Sequence, residues 1–122
     1  MIDTVRVSEK ARLQLITIKK RTKIKNWNVI CRWAFLLSLK DEAMPAPENI
    51  IADSSVEMTW KTFAGNHTAL YTSLLIYRLQ KDKIDLTKEN LIKYFKNHLH
   101  RGISFLTSSN FKGTKDFLRI IS

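Results

Sequence analysis

One cysteine, two prolines and three glycines in 122 residues leave few staples and few tight turns. Cys31 has no second thiol to pair with, so an intrachain disulfide is excluded. Its place inside an apolar helical pattern reads as a buried, inert thiol. Acids are also scarce: eleven Asp and Glu face twenty-one Lys and Arg, for a net charge of +10. These acids are scattered, and no two stand at a spacing suited to a two-metal nuclease centre or a general acid and base pair. His98 and His100, two residues apart, point in different directions on a helix and cannot share a metal as an i, i+4 pair can. They read as surface or phosphate-contacting side chains. With no glycine-rich phosphate loop, nucleotide hydrolysis and redox catalysis have no foothold. Arg32 and Ser38 interrupt the apolar run over 29–39, which falls short of the roughly 20 residues of a membrane span. The opening MIDTVRVSEK lacks a charged-then-apolar leader pattern. The expectation is a cytoplasmic protein with no membrane segment, no cofactor and no catalytic role.

What is present describes a folded, mainly α chain. Apolar residues make up 44%, with three Trp, three Tyr and six Phe, and the length suits a single domain over 1–122. Residues 3–7 alternate polar and apolar, placing Val5 and Val7 on one face of a short strand and Thr4 and Arg6 on the other. No second strand signal lies nearby, so the expected partner is the same segment of another chain. Ser8 caps a helix over 9–22 whose stripe is Ala11, Leu15 and Ile18, widened by Leu13 and Ile16. Asn26 starts a second helix, to about Lys40, apolar around nearly its whole circumference. Such a helix needs burial on all sides, which another subunit would complete, so the chain reads as a homo-oligomer.

Residues 41–58 hold both prolines and read as an exposed linker before the helical remainder, 59–104. Trp60 and Phe63 anchor that remainder, and Gly65-Asn66 turns into a helix over 67–82 with Leu70, Leu74, Tyr77, Tyr71 and Leu75 as its buried stripe. Thr87 caps a fourth helix whose inward residues are Leu91, Ile92, Phe95 and Leu99, with Gly102 as its stop. Lys23-Ile24, Lys83-Ile84 and Gly102-Ile103 share one pattern, a left-handed stop followed by a branched apolar residue. The tail, 105–122, is expected to be partly ordered, with Phe117, Leu118 and Ile120 docking on the body.

Charge is uneven: residues 1–40 carry +8, residues 41–81 carry −2 and residues 82–122 carry +4. Such a field points to a polyanionic partner. The candidate phosphate-binding residues are Arg6, Arg12, Lys19, Lys20, Arg21, Lys23, Lys25 and Asn26, gathered along the first helix and its turn into the second, where free backbone N–H groups also face an anion. The order strand, helix, basic turn, helix over 4–40 resembles the ribbon-helix-helix DNA-binding proteins, which implies Thr4 and Arg6 on an outward ribbon face, Asn26 as a phosphate clamp, and a transcriptional repressor as one possible function.

A broader resemblance rests on VRVSEKARLQLITIKKRTKIKNWNVICRWAFLLSL, KTFAGNHTALYTSLL and IDLTKENLIKYFKNHLHRGISFL. Together these stretches resemble the DNA sulfur modification protein DndE family. The resemblance implies a small helical subunit of a bacterial system that replaces a non-bridging phosphate oxygen of DNA with sulfur. It implies a homotetramer that binds duplex, preferentially nicked, DNA without catalysing the sulfur chemistry. That chemistry would belong to partner proteins: a cysteine desulfurase, an iron-sulfur protein and an ATPase.

Overall fold

In the computed structural model, which describes residues 2–109 and 113–121, Val5 and Val7 are buried and Thr4 and Arg6 point outward. Their strand, β1 (Thr4–Arg6), pairs antiparallel with β2 (Glu57–Thr59), in the register Thr4 to Thr59, Val5 to Met58 and Arg6 to Glu57. The expected partner, the same segment of a second chain, is thus corrected: one edge of β1 is filled from within. Residues 41–58 are correspondingly more than an exposed linker. Ser54 and Val56 are buried, the Ser54 hydroxyl donates to the Val7 carbonyl at 2.7 Å, and Val7 N–H donates to Val56 at 3.3 Å. A three-residue strand with one inward side chain has too little periodicity to stand out in sequence.

Helix α1 (Glu9–Thr22) begins where Ser8 accepts a hydrogen bond from Ala11 N–H at 3.1 Å. Ala11, Leu15 and Ile18 are buried as the stripe requires, whereas Leu13, expected to widen it, is 54% exposed. The helix stops at Lys23, whose φ of 61° is left-handed. Lys83, φ 59°, does the same after α4 (Thr68–Lys81), where Ile84 N–H reaches back to Leu79 at 2.9 Å. A left-handed L-residue is strained where glycine is not. Lys23→Gly and Lys83→Gly are therefore each expected to raise unfolding stability by about 0.5–1 kcal/mol. Denaturant midpoints check this, and a loss of stability in both would remove the strain argument.

Gly102 does not stop a helix. Helix α5 runs from Lys88 to Ser108, capped by Thr87, and Gly102 lies inside it against α2 (Trp27–Lys40). A β-carbon there would fall 1.7 Å from the Ala34 carbonyl oxygen, so glycine is needed for close helix approach rather than for a turn. These two helices make the most extensive packing in the fold. Phe35 of α2 sits at its centre, with ring centroids 5.8 Å from Phe63, 5.1 Å from Phe95 and 6.1 Å from Tyr71. Phe63 belongs to the short α3 (Trp60–Ala64), and Trp60 stacks on it at 5.1 Å. The second helix is not buried all round within the chain: Val29, Trp33, Leu36 and Leu39 are only half-buried.

Two stripes require correction. On α4 the buried residues are Tyr71, Leu75, Arg78 and Leu79, while Leu70 and Tyr77 are exposed. On α5 Ile92 is exposed, and Tyr94, Asn97 and His98 turn inward instead. Both helical phases of α4 carry leucines, and the deciding residue is Arg78, which a hydropathy pattern counts against burial. After α5 comes α6 (Thr114–Ile121). Leu118, expected to dock, is exposed, and the side chains of Phe117 and Ile120 lie outside the described residues.

Candidate nucleic-acid interface

The basic residues gather at the corner between α1 and α2. Because Lys23 turns the chain in a left-handed conformation, Lys20, Lys23 and Lys25 are all exposed there, followed by Asn26. Asn26 caps α2 by position, but its side chain makes no cap hydrogen bond. The first N–H groups of a helix have no intrahelical acceptor and so remain donors. Lys19 lies over the Trp27 ring, 4.0 Å from its centroid, which fixes one cation at the corner. Among the described residues none of these four lysines is in an ion pair. A groove of about 260 Å³ opens beside them, lined by Lys25, Asn26, Trp27, Asn28, Met58 and Glu57.

The three arginines are placed differently. Arg6 projects from β1 and pairs with Glu57, the same acid that lines the groove, so the sheet's outward face adjoins the corner. Arg12 is held by Glu9 through an Nε bond of 2.8 Å, about two turns from Lys20 along α1. That hydrogen bond keeps the Glu9 carboxyl below the usual range and Arg12 above its own. Arg21 turns inward: its Nη1 donates to the carbonyls of Leu106, Thr107 and Ser109 at 3.5, 3.3 and 2.8 Å, closing the end of α5. Glu57 and Thr62 were not found by sequence reasoning, whereas Asn28 follows Asn26 at the start of α2. Those two come from β2 and α3, and only the β1–β2 pairing and the 3.2 Å bond from Asn28 to the Thr62 carbonyl bring them to the corner.

A second polar cluster is buried. Arg101 Nε donates to the Ser38 hydroxyl at 2.8 Å, and that hydroxyl shares a hydrogen bond with His98 Nδ1, also at 2.8 Å. The other ring nitrogen, Nε2, has no partner among the described residues. Arg78 donates to Asp82 at 2.8 Å and to the carbonyls of Leu39, Glu42 and Ala43, while the Tyr94 hydroxyl makes a short bond to the same Asp82 carboxylate. Burial alone would raise the pKa of Asp82, but the bonds from Tyr94 and Arg78 outweigh it and lower it. These groups pin the start of the 41–58 segment to α4 and α5. The expectation that His98 lies at the surface is corrected, since it is fully buried, and Arg101 is likewise engaged by carbonyls. His100 lies behind the start of α1, accepting from Ser8 N–H at 3.0 Å. Cys31 is buried as expected, its thiol pushed up to about 12 by burial.

Burial, with repulsion from Arg78 and Arg101, lowers His98 from 6.5 to about 3. Between those values the unfolded chain binds a proton that the folded chain refuses. Stability is therefore full above about pH 6.5 and falls as pH drops, by about 2 kcal/mol between pH 7 and 5 from this group. Urea unfolding across that range tests it, and a flat profile would mean that His98 is protonated in the fold.

Among the described residues no helix is long and apolar enough to cross a membrane, and no group of acids, His and Cys could hold a metal ion. Comparison with known proteins adds to this geometry. The family model described as DNA sulphur modification protein DndE matches residues 4–112. The crystal structure of DndE from Escherichia coli B7A, involved in DNA phosphorothioation modification, is 24% identical and superposes with a TM-score of 0.73, covering 87% of this chain and 98% of that one. A glycine-to-lysine mutant of DndE, also involved in DNA phosphorothioation, is 22% identical with a TM-score of 0.70, over 89% and 100% of the two chains. Among curated proteins none matches the chain. The structural likeness establishes a shared mainly helical fold with a small two-stranded sheet, and the family match spans nearly the whole sequence; the chain belongs to the DndE family of DNA sulphur modification proteins.

Proposed function

We propose that this chain is the DNA-binding accessory subunit of a phosphorothioation system, gripping the phosphate backbone of duplex, preferentially nicked, DNA at the α1–α2 corner. One observation carries the reading: a left-handed lysine breaks the helix so that Lys20, Lys23 and Lys25 project together beside the uncapped start of α2. Lysines there supply mobile point charges, and the free N–H groups of α2 supply fixed donors to a phosphate oxygen. Lys19 and Asn26 complete the corner, with Arg6 and Arg12 widening the field. Arg21 contributes charge while its guanidinium holds α5.

The subunit works in the cytoplasm without catalysing the sulfur transfer, which belongs to its partners, the other sulfur-modification proteins. It assembles as a homotetramer, a reading supported by the half-buried Val29, Trp33 and Leu36 of α2 and by the exposed Leu70 and Tyr77 of α4. The alternative, a ribbon-helix-helix repressor, is less supported, because β2 takes one edge of β1 and only the other edge is left for a second chain.

If each subunit neutralises about four phosphates, log affinity for a duplex falls against log salt with a slope of about −3.6 per subunit engaged. Fluorescence anisotropy of labelled intact, nicked and scrambled duplexes at several salt concentrations tests this. A slope near zero, or strong preference for one intact sequence, would overturn the backbone-grip reading.

A further inference from the structure

A second groove, of about 520 Å³, opens at the other end of α1, between its first turns, one face of α5 and the coil over 45–53. It lies about 15 Å along the helix from the basic corner, and three acids, Glu9, Glu48 and Asp53, stand in its lining against Lys10 and an Arg101 already held by carbonyls. Residues 41–58 hold five acids and no Lys or Arg, in a chain of net charge +10. Two of those acids, Glu48 and Asp53, line the groove and are in no ion pair among the described residues. Beside them Ile51 is 72% exposed, an apolar side chain with nothing over it. Asn97, His100, Arg101 and Ser104 of α5 share the face that forms the wall. Asn97 is only 6% exposed, yet its Oδ1 has no hydrogen-bond partner among the described residues. A buried amide left unpaired is costly, and such groups call for an explanation.

We infer that this groove is a docking site for an extended basic and apolar peptide segment of a partner protein. The volume lies within the about 300–1,000 Å³ usual for binding clefts. Its two unpaired carboxylates disfavour phosphate and nucleic acid and favour Lys or Arg. Asn97 lines the wall with its Oδ1 closed off from solvent, so its side chain reports on the groove rather than contacting the peptide. Residues 44–52 take no regular secondary structure, so the coil can align with an added extended segment while Ile51 supplies an apolar anchor. Because the two sites lie at opposite ends of α1, the partner and a polyanion can be held together.

The test uses the full chain and a fluorescein-labelled octapeptide of alternating lysine and leucine, with a glutamate-leucine octapeptide as comparison. The basic peptide is expected to bind saturably and to shift the Asn97 side-chain amide resonances on titration, whereas the acidic one goes to the lysine corner and leaves them unmoved. Glu48→Lys with Asp53→Lys should weaken binding roughly tenfold. The same change in net charge placed elsewhere, Asp85→Lys with Glu89→Lys, should leave it unchanged, and Ile51→Ser should weaken it. All these side chains are exposed, so folding is retained. Equal shifts of the Asn97 resonances with both peptides, equal losses in the two charge-reversed pairs, or a groove variant that alters self-association in sedimentation instead would overturn the proposal.

Discussion

Gly102→Ala is expected to destabilise the fold by at least about 3 kcal/mol, against the usual sign of the substitution. In an isolated helix the exchange gains about 0.5–1 kcal/mol, because alanine loses less backbone freedom. Here the added carbon would lie 1.7 Å from the Ala34 carbonyl oxygen, 2.3 Å from its carbon and 2.9 Å from its Cα. Backbone atoms cannot rotate away as a side chain can, so α2 and α5 would have to part. Parting them opens the packing around Phe35, Phe95 and Leu99, which are buried. The melting temperature should fall by on the order of 10 °C or more, followed by circular dichroism. Unchanged or higher stability would mean that close approach of the two helices does not require glycine at this position.

That residue also marks where sequence reasoning stops. Caps were legible, since Ser8 and Thr87 accept the expected N–H bonds and Lys23 and Lys83 adopt the expected left-handed turn. Each depends on neighbours within a few residues. Gly102 fits a helix stop equally well on local grounds, and only the approach of a helix some seventy residues earlier in the chain decides otherwise. Arg78 and His98 were hidden for a related reason. Their burial depends on Asp82, Ser38 and carbonyls of the 39–43 segment, partners that hydropathy does not register. The partner of β1 was hidden because the 57–59 segment is too short to carry a pattern.

The candidate site divides along the same line. Charge was legible as charge, so the cluster from Lys19 to Lys25 was found from the sequence alone. Which cations are free was not legible. Arg21 stands among the lysines yet closes α5, while Glu57 reaches the groove across about thirty residues of chain. A charge reversal that included Arg21 would confound binding with stability, so the informative variant changes only exposed lysines. Lys23 adds a further consequence: replacing it with glycine should relieve strain and remove a phosphate contact, raising stability while lowering affinity.

The second large effect is on DNA affinity. Lys20→Glu, Lys23→Glu and Lys25→Glu together remove three exposed cations and introduce three like charges opposite phosphate. The triple variant should lose at least about hundredfold in affinity for duplex DNA at moderate salt. Its log–log salt slope should also become shallower by about 2.7 per subunit engaged, since each lost phosphate contact removes about 0.9. These side chains are exposed, and substitutions at such positions typically cost under about 0.5 kcal/mol each, so the fold is retained. The most direct test of the account is therefore a fluorescence anisotropy titration of one labelled nicked duplex with the wild-type chain and this triple variant, each confirmed folded by circular dichroism. A phosphate grip at this corner should show at least about a hundredfold loss with a shallower salt dependence; equal affinity and an equal salt slope in a folded variant would move DNA binding away from the α1–α2 corner.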